Sequence, residues 1–275
     1  MFCSHNYIPT ELTKTTIMLM LNNKAGSPTD VNNCRAIALS NSLSKVLENI
    51  KLFWDVWSVQ WHVSIWLQKR HSTTLACSVL KHVVDYYRKR SSYVFVCLLD
   101  LCKAFDNVDH GILFKKTVTF KCTKNLINLL ASWYAKQMMN VKWKSVNTDS
   151  FPMENGTRQE TVLSPFLFSV YMQDVSTAVT VPVSVVTLVI CPGTYTAICW
   201  YCITLSSMRA QQILLDIYGR VITNLSMKFN VAKSVTAIFP RRVNHNFPPL
   251  KLEYSMVRIC ALLISVNIWI ISYLQ

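Results

Sequence analysis

The order of apolar and polar residues divides the central part of the chain into a helix followed by a strand. One helical face of the first segment is apolar: Leu75, Val79, Leu80, Val83, Val84 and Tyr87. Ser72 can cap this helix, and the basic run 88–90 lies near its end. The run 93–99 that follows is unbroken and β-prone, which predicts a buried strand that ends at Asp100.

Three further segments have helical patterns. Residues 124–136 predict an amphipathic helix. Ser164 and Pro165 resemble an N-cap followed by proline at the first helical position, and the helix they predict continues to Met172. Residues 207–223 predict another helix whose expected inward residues are Ile213, Leu214, Ile217 and Val221. Because strands alternate with helices, the fold class is predicted as α+β or α/β.

Two apolar stretches could be taken for membrane spans. Residues 175–208 carry no charge, but Pro182, Pro192 and Gly193 interrupt them, and their Val and Thr content favours strands. Residues 259–274 are shorter than the ~20 apolar residues that a membrane span needs. Stable membrane insertion is therefore not expected.

Composition excludes several classes of protein. With 51% apolar and 15% charged residues among 275, wholesale disorder is excluded, and the net charge of +14 favours an anionic partner, nucleic acid before an anionic membrane surface. The ten cysteines form no dense framework, and residues 1–7 have no apolar core of a signal peptide, so we expect reduced thiols in an intracellular protein, nuclear or cytoplasmic. Cys199 and Cys202 are interpreted as buried hydrophobic residues rather than a metal site.

Candidate chemistry is concentrated in two segments. Asp100 ends the predicted buried strand, where a carboxylate is costly unless it binds a cation or is hydrogen-bonded. Taken alone, such a residue is more often a cap of the following turn. The second segment, 155–168, places Arg158 and Gln159 in a polar loop that leads into the capped apolar helix.

These segments resemble the reverse transcriptase domain of non-LTR (LINE-type) retrotransposons. Leu99–Asp106 (LDLCKAFD) matches the family's LDLSKAFD, and Gly156–Pro165 (GTRQETVLSP) matches its GVRQGSVLSP. Further matches follow in the family's order along the chain: 8–15, 23–24, 30–39, 43–48, 71–74 and 229–234. Their shared order makes the resemblance specific.

The resemblance implies an α+β right-hand polymerase fold whose thumb is missing. It places a fingers-like region in 1–92, a palm-like region in 93–254 and an apolar tail, truncated or mis-joined, in 255–275. The implied function is that of an RNA-directed DNA polymerase, with an RNA template, an RNA–DNA duplex and deoxynucleoside triphosphates as partners.

The resemblance also assigns site residues. Asp100 would hold the catalytic Mg²⁺ pair beside the backbone carbonyl of Leu101. The aromatic that packs under the sugar and rejects a 2′-hydroxyl would be Phe105. The remaining contacts would come from polar side chains. Arg35 would contact triphosphate or template, and Arg158 and Gln159 would line the nucleotide and template pocket. Lys233 would lie near the pyrophosphate, as proton donor.

The family's second pair of metal-binding carboxylates has no counterpart in this sequence. Thr196 and Ala197 stand where its YADD string has two aspartates, and no acidic residue lies between Asp174 and Asp216. Glu160 also replaces a family glycine. We therefore expect poor Mg²⁺ binding and impaired catalysis. The alternatives are a non-enzymatic nucleic-acid-binding remnant and, less favoured, a membrane-associated protein.

Overall fold

The computed structural model of the protein describes residues 8–21, 26–27, 29–30, 33–51, 73–157, 163–178, 186–190, 200–205, 207–239, 251–252, 255–256 and 258–261. These residues belong to two compact units that interleave along the chain. The first unit contains the described residues up to 51 together with 105–171, and the second contains 73–104 together with those from 172 onward.

Helices and strands alternate along the described chain. The helices are α1 (Thr10–Thr13), α2 (Ser42–Lys51), α3 (Thr73–Lys89), α4 (His110–Thr119), α5 (Lys124–Ala135), α6 (Ser164–Tyr171), α7 (Gln173–Thr177) and α8 (Met208–Asn224). The strands are β1 (Lys14–Leu21), β2 (Cys34–Ser40), β3 (Val94–Asp100), β4 (Met138–Trp143), β5 (Val146–Asn147), β6 (Phe151–Pro152), β7 (Val186–Ile190), β8 (Trp200–Leu205), β9 (Val235–Phe239), β10 (Lys251–Leu252), β11 (Ser255–Met256) and β12 (Arg258–Ala261).

The first unit combines a sheet with packed helices. Its strands follow the order β2-β1-β4-β5, and β6 also pairs with β4. The predicted helix over 124–136 is confirmed as α5, which begins after Thr123, whose side chain accepts a hydrogen bond from the Leu126 backbone N–H. Leu129 and Trp133 of α5 pack with Ile8 in a buried cluster.

Every residue of helix α6 except the half-buried Pro165 is buried, in agreement with its largely apolar sequence. It begins at Ser164, one residue earlier than an N-cap assignment for Ser164 would place it, which is within the usual uncertainty of helix ends. Its last carbonyl, on Tyr171, accepts a hydrogen bond from Lys116 Nζ at 2.6 Å, so a cation of α4 satisfies one of the carbonyls that a helix end leaves open.

The second unit is built on the sheet β12-β9-β3-β8-β7. Every residue of β3 is buried, which confirms the predicted buried strand. β3 pairs antiparallel with both β8 and β9, and Asp100 lies opposite Trp200. The strand that ends at Asp100 therefore pairs with a strand of the uncharged stretch 175–208.

Helix α8 confirms the predicted helix over 207–223, but its buried face agrees with the prediction only in part. Leu214 is buried as predicted, whereas Ile213 is 53% exposed and Ile217 and Val221 are half-buried. The fully buried residues of α8 share one helical stripe: Gln211, Leu214, Leu215, Tyr218 and Ile222. Ile213 lies off this stripe because 3.6 residues per turn carry it to the solvent side.

The uncharged stretch 175–208 contains the two strands β7 and β8, in agreement with its Val- and Thr-rich sequence. Among the residues that the structure describes, none of the helices has the length and apolarity needed to cross a bilayer.

Candidate active site

Asp100 is held at the end of β3 by hydrogen bonds to a distant part of the chain. The residue is 4% exposed. The Asp100 backbone N–H donates to Ser234 Oγ at 3.2 Å, and the Asp100 carbonyl accepts from the Asn230 backbone N–H at 2.8 Å. The strand end is thus fixed by the segment 229–234, which the sequence relates to a family motif.

The segment 229–234 folds into a turn organised by Asn230. Asn230 Oδ1 accepts from the Lys233 backbone N–H at 3.2 Å, and the Asn230 carbonyl accepts from both the backbone N–H and the Oγ–H of Ser234, each at 2.8 Å. The Lys233 side chain is exposed, yet its charge acts on Asp100. The structure therefore brings Asp100 and Lys233 together. Ser234 was not predicted as a site residue, although it lies in the same motif.

Two opposing effects set the acidity of Asp100. Burial raises the pKa of the carboxyl group to about 6, while the charge of Lys233 and the backbone N–H of Leu101 lower that pKa in part. At neutral pH the carboxylate is mostly ionised and available to a cation. Below pH 6 a proton competes for the same oxygens.

Replacing Asp100 by Asn is expected to stabilise the fold at neutral pH in buffer without divalent metal. The pKa of Asp100 in the folded chain, about 6, lies above the ordinary 3.8, so the folded state binds the proton more tightly. Ionisation therefore lowers the free energy of unfolding as pH rises from about 4 through about 6, by up to about 3 kcal/mol. Urea unfolding at pH 4 and pH 7.5 should show Asp100→Asn more stable than the natural chain at the higher pH only. An equal difference at both pH values would contradict this account.

Leu101 provides a second oxygen beside Asp100. Leu101 pairs with Phe229 in an isolated antiparallel β-bridge. Beside this bridge, the Cys102 backbone N–H donates a hydrogen bond to the Lys228 carbonyl at 2.9 Å. Within the described ranges the Leu101 carbonyl accepts no hydrogen bond. One buried carboxylate and one open carbonyl suit a hard cation such as Mg²⁺, which prefers oxygen ligands.

A site for two metal ions requires further carboxylates. Across the described ranges, no group of three or more His, Cys, Asp or Glu side chains could hold a metal. The segment 191–199, which contains Thr196 and Ala197, lies outside the described residues; the strands on either side of it meet at the pair Ile190–Trp200, next to Asp100. Because the sequence offers no acidic residue in this hairpin, the side chains here do not fit a two-ion site.

Three further aspartates, one close to Asp100 in sequence and two on later elements, face water. Asp106, Asp174 and Asp216 are all exposed, and Asp216 Oδ1 accepts a hydrogen bond from Gln212 Nε2 at 2.8 Å. Exposed carboxylates are strongly hydrated, so we expect none of these three to replace a buried metal ligand.

Phe105 lies in the first unit, in a cluster built around Gly156. Its ring centroid is 4.7 Å from that of Phe168, and its carbonyl accepts from the Thr157 backbone N–H at 2.8 Å. Gly156 N–H donates to the Val108 carbonyl at 2.8 Å. The loop that begins at Gly156 is thus tied to the chain that follows β3 at two adjacent positions.

His110 completes this cluster and was not predicted as a site residue. Its Nε2 lies 2.7 Å from the Gly156 carbonyl, which accepts the hydrogen bond, and its ring packs edge-on against Tyr134 at 4.8 Å. The only signal for it in the sequence is its position four residues after the string Leu99–Asp106. His110 therefore positions the Gly156 loop, in which Arg158 and Gln159 follow.

Three predicted residues have side chains of which the structure describes nothing. Arg158 and Gln159 lie outside the described residues altogether. The backbone of Arg35 lies on β2 opposite Met20 of β1.

One family of known proteins matches the part of the chain that contains both the Asp100 site and the cluster around Gly156. The model of the family described as reverse transcriptase (RNA-dependent DNA polymerase) matches residues 22–243. The chain is 27% identical over 173 residues to the RNA-directed DNA polymerase from mobile element jockey of Drosophila melanogaster, a match that covers 60% of this chain and 18% of that protein. The chain thus spans under a fifth of that relative.

Solved structures show the same fold. Telomerase from Candida tropicalis, in complex with a TWJ fragment of telomeric RNA, has a TM-score of 0.57 at 11% identity over 84% of this chain and 42% of that one. The apo telomerase of Candida tropicalis truncated from its C-terminal domain has a TM-score of 0.52 at 11% identity, over 85% of this chain and 51% of that one. At such identities the likeness shows the fold alone, and the predicted α+β right-hand polymerase fold is confirmed.

Proposed function

The chain belongs to the reverse transcriptase (RNA-dependent DNA polymerase) family in its non-LTR, LINE-type form, and from this premise we propose that it binds an RNA template and an RNA–DNA duplex but is impaired in DNA synthesis. The observation that carries the proposal is the buried Asp100 beside Lys233, in a chain without an acidic residue between Asp174 and Asp216. The anionic partner that a net charge of +14 favours is retained, while the metal ligands are incomplete.

Reverse transcriptases use divalent metal, and in this chain Asp100 and the Leu101 carbonyl would provide its oxygen ligands. One carboxylate and one carbonyl leave most of the coordination sphere to water, so Mg²⁺ is bound poorly. Lys233 would lie near the pyrophosphate of an incoming deoxynucleoside triphosphate, as a proton donor. Its proximity to Asp100 supports this role.

Further contacts with nucleic acid and nucleotide are proposed from the family motifs. Phe105 would pack under the sugar, and its contact with Phe168 supports a fixed ring position. Arg158 and Gln159 would line the nucleotide and template pocket, and Arg35 would contact triphosphate or template. We also propose the division into a fingers-like region (1–92), a palm-like region (93–254) and an apolar tail (255–275).

Binding to an RNA–DNA duplex tests the proposal directly. Fluorescence anisotropy with a labelled hybrid is expected to give an affinity that falls steeply with salt, because each neutralised phosphate contributes about −0.9 to the log–log slope. Replacing Arg35 and Arg158 together by Ala should make that slope shallower by about 2, because two fewer phosphates are then neutralised.

The matched control removes two exposed lysines that lie outside the motifs, Lys115 of α4 and Lys124 of α5. This double Ala variant carries the same net charge as the arginine variant, so it should keep a slope closer to that of the natural chain. Equal slopes for the two variants would show unspecific attraction to a cationic protein and would contradict the proposed groove.

A further inference from the structure

Helix α3 has an outer face that combines aromatic and basic side chains. We define this outer face of α3 by four exposed residues: His82, Tyr86, Lys89 and Arg90. Its opposite side is fixed in the core through Leu80 and Val84, which are 1% and 0% exposed. The helix is therefore anchored in the second unit, and its outer face is turned to solvent.

Tyr86 is the centre of this face. Half of it is exposed, and the guanidinium carbon of Arg90 lies 3.5 Å from its ring centroid. Tyr87 packs edge-on against it at 5.2 Å between centroids. A flat guanidinium over a tyrosine ring offers stacking surface for a base, because bases stack on aromatic rings and on arginine planes.

The cations at the end of α3 have no carboxylate partners. Within the described part of the chain, neither Lys89 nor Arg90 forms an ion pair, and nor does the adjacent Arg88. The turn after the helix is well defined, since Ser91 has a positive φ of 56° and Ser92 N–H donates to the Tyr87 carbonyl at 3.0 Å. These three cations, which form no ion pair with a described residue, are thus presented at a fixed place, where phosphates can bind.

A shallow groove runs along the same helix. It has a volume of about 400 Å³, and the described residues that line it include Val79, His82, Val83, Tyr86 and Tyr87. These described lining residues are mostly aromatic and aliphatic, whereas the end of the helix carries the basic residues. This combination suits unpaired bases with their backbone and does not suit a duplex, whose base faces are hidden.

The outer face of α3 is separate from the site at Asp100. The chain passes from Arg90 into β3, and Asp100 lies at the far end of that strand from Val94. At about 3.3 Å per residue, β3 separates its two ends by roughly 20 Å. The bases that stack on Tyr86 and Arg90 would therefore lie away from the carboxylate of Asp100.

We propose that the outer face of α3 is a second nucleic-acid-binding site that takes single-stranded RNA by stacking bases on Tyr86 and Arg90 and pairing phosphates with Lys89 and Arg88. This site extends the proposed function, because it would hold RNA outside the template groove. The site is sequence-tolerant, since every base has a face that can stack.

The test uses the full chain and a labelled single-stranded RNA of mixed sequence, about twelve nucleotides long, a length comparable to that bound by one single-strand-binding domain. Tyr86→Ala should weaken binding about tenfold, and Tyr86→Phe should keep it, because the ring that stacks is retained. The double variant Lys89→Gln/Arg90→Gln should also weaken binding to this RNA. Its loss of affinity should exceed that of the control double variant Lys115→Gln/Lys124→Gln, which removes the same amount of charge elsewhere.

The RNA–DNA hybrid, measured on the same variants, separates this proposal from the proposed function. Hybrid binding should be unaffected by Tyr86→Ala. If hybrid binding is absent but Tyr86→Ala still weakens RNA binding, the template groove fails and the α3 site stands. If Tyr86→Ala and the natural chain bound the single-stranded RNA with equal affinity, the α3 site would be overturned. The α3 site would also be overturned if Tyr86→Ala lost as much affinity for double-stranded RNA as for single-stranded RNA.

Discussion

Template-directed primer extension by this chain is expected to yield no more product than its Asp100→Asn variant, with either Mg²⁺ or Mn²⁺. Phosphoryl transfer of this kind depends on positioning and on charge stabilisation by metal ions. Loss of the side chains that would hold these metal ions removes roughly 4 kcal/mol or more of transition-state stabilisation, which corresponds to about three orders of magnitude in rate. Asp100 remains buried at the end of β3, but it is one carboxylate.

The competing possibility is that another acid replaces the missing pair. The two candidates are Asp106 and Asp174, and both are exposed. Clear incorporation by the natural chain that disappears in Asp100→Asn would contradict our expectation and would show that a substitute ligand operates.

A restored variant examines the cause of the defect. Thr196→Asp, Ala197→Asp and Glu160→Gly together reinstate the family residues at these positions. We expect little recovery, because the resemblance to the family also implies a longer connection than residues 175–195 provide, so the restored aspartates would still be misplaced. Recovery to the rate of an intact polymerase would show that the missing acids alone account for the loss.

Local patterns were sufficient to predict the elements that position the site. β3 was predicted because seven apolar and β-prone residues leave no alternative to burial, and α5 because its apolar residues follow a helical period. The face of α8 was less predictable, since Ile213 and Leu214 are both apolar and only the packing decides which one is buried.

Long-range contacts could not be predicted from such patterns. The hydrogen bond from Asp100 N–H to Ser234 Oγ joins residues 134 positions apart, and that from His110 to Gly156 joins residues 46 apart. A resemblance to family motifs assigned Asp100 and Lys233 to one site, but it gave no reason for the burial that raises the pKa of Asp100. That burial depends on the whole sheet.

The Gly156→Ala substitution is expected to lower the free energy of unfolding by about 2–4 kcal/mol. Gly156 has a φ of +91°, which side chains with a Cβ rarely adopt. A Cβ at this position would lie 2.9 Å from the Asp106 carbonyl oxygen and 3.0 Å from that of Phe105. Both neighbours are backbone atoms, so the loop must move, and the hydrogen bonds from Gly156 to Val108 and from His110 to Gly156 are strained or broken.

Gly219→Ala is the matched control, because Gly219 lies within α8 and a Cβ there meets no atom within 4 Å. Alanine is the better helix former by about 1 kcal/mol, so this variant should be as stable as the natural chain or slightly more so. The measurement is the midpoint of urea unfolding for both variants. If Gly156→Ala unfolded at the same midpoint as Gly219→Ala, the tie between the Gly156 loop and residues 105–110 would carry little of the stability of the first unit. The expected result, a marked loss for Gly156→Ala alone, would instead show that this tie holds in place the start of the loop that continues into Arg158 and Gln159.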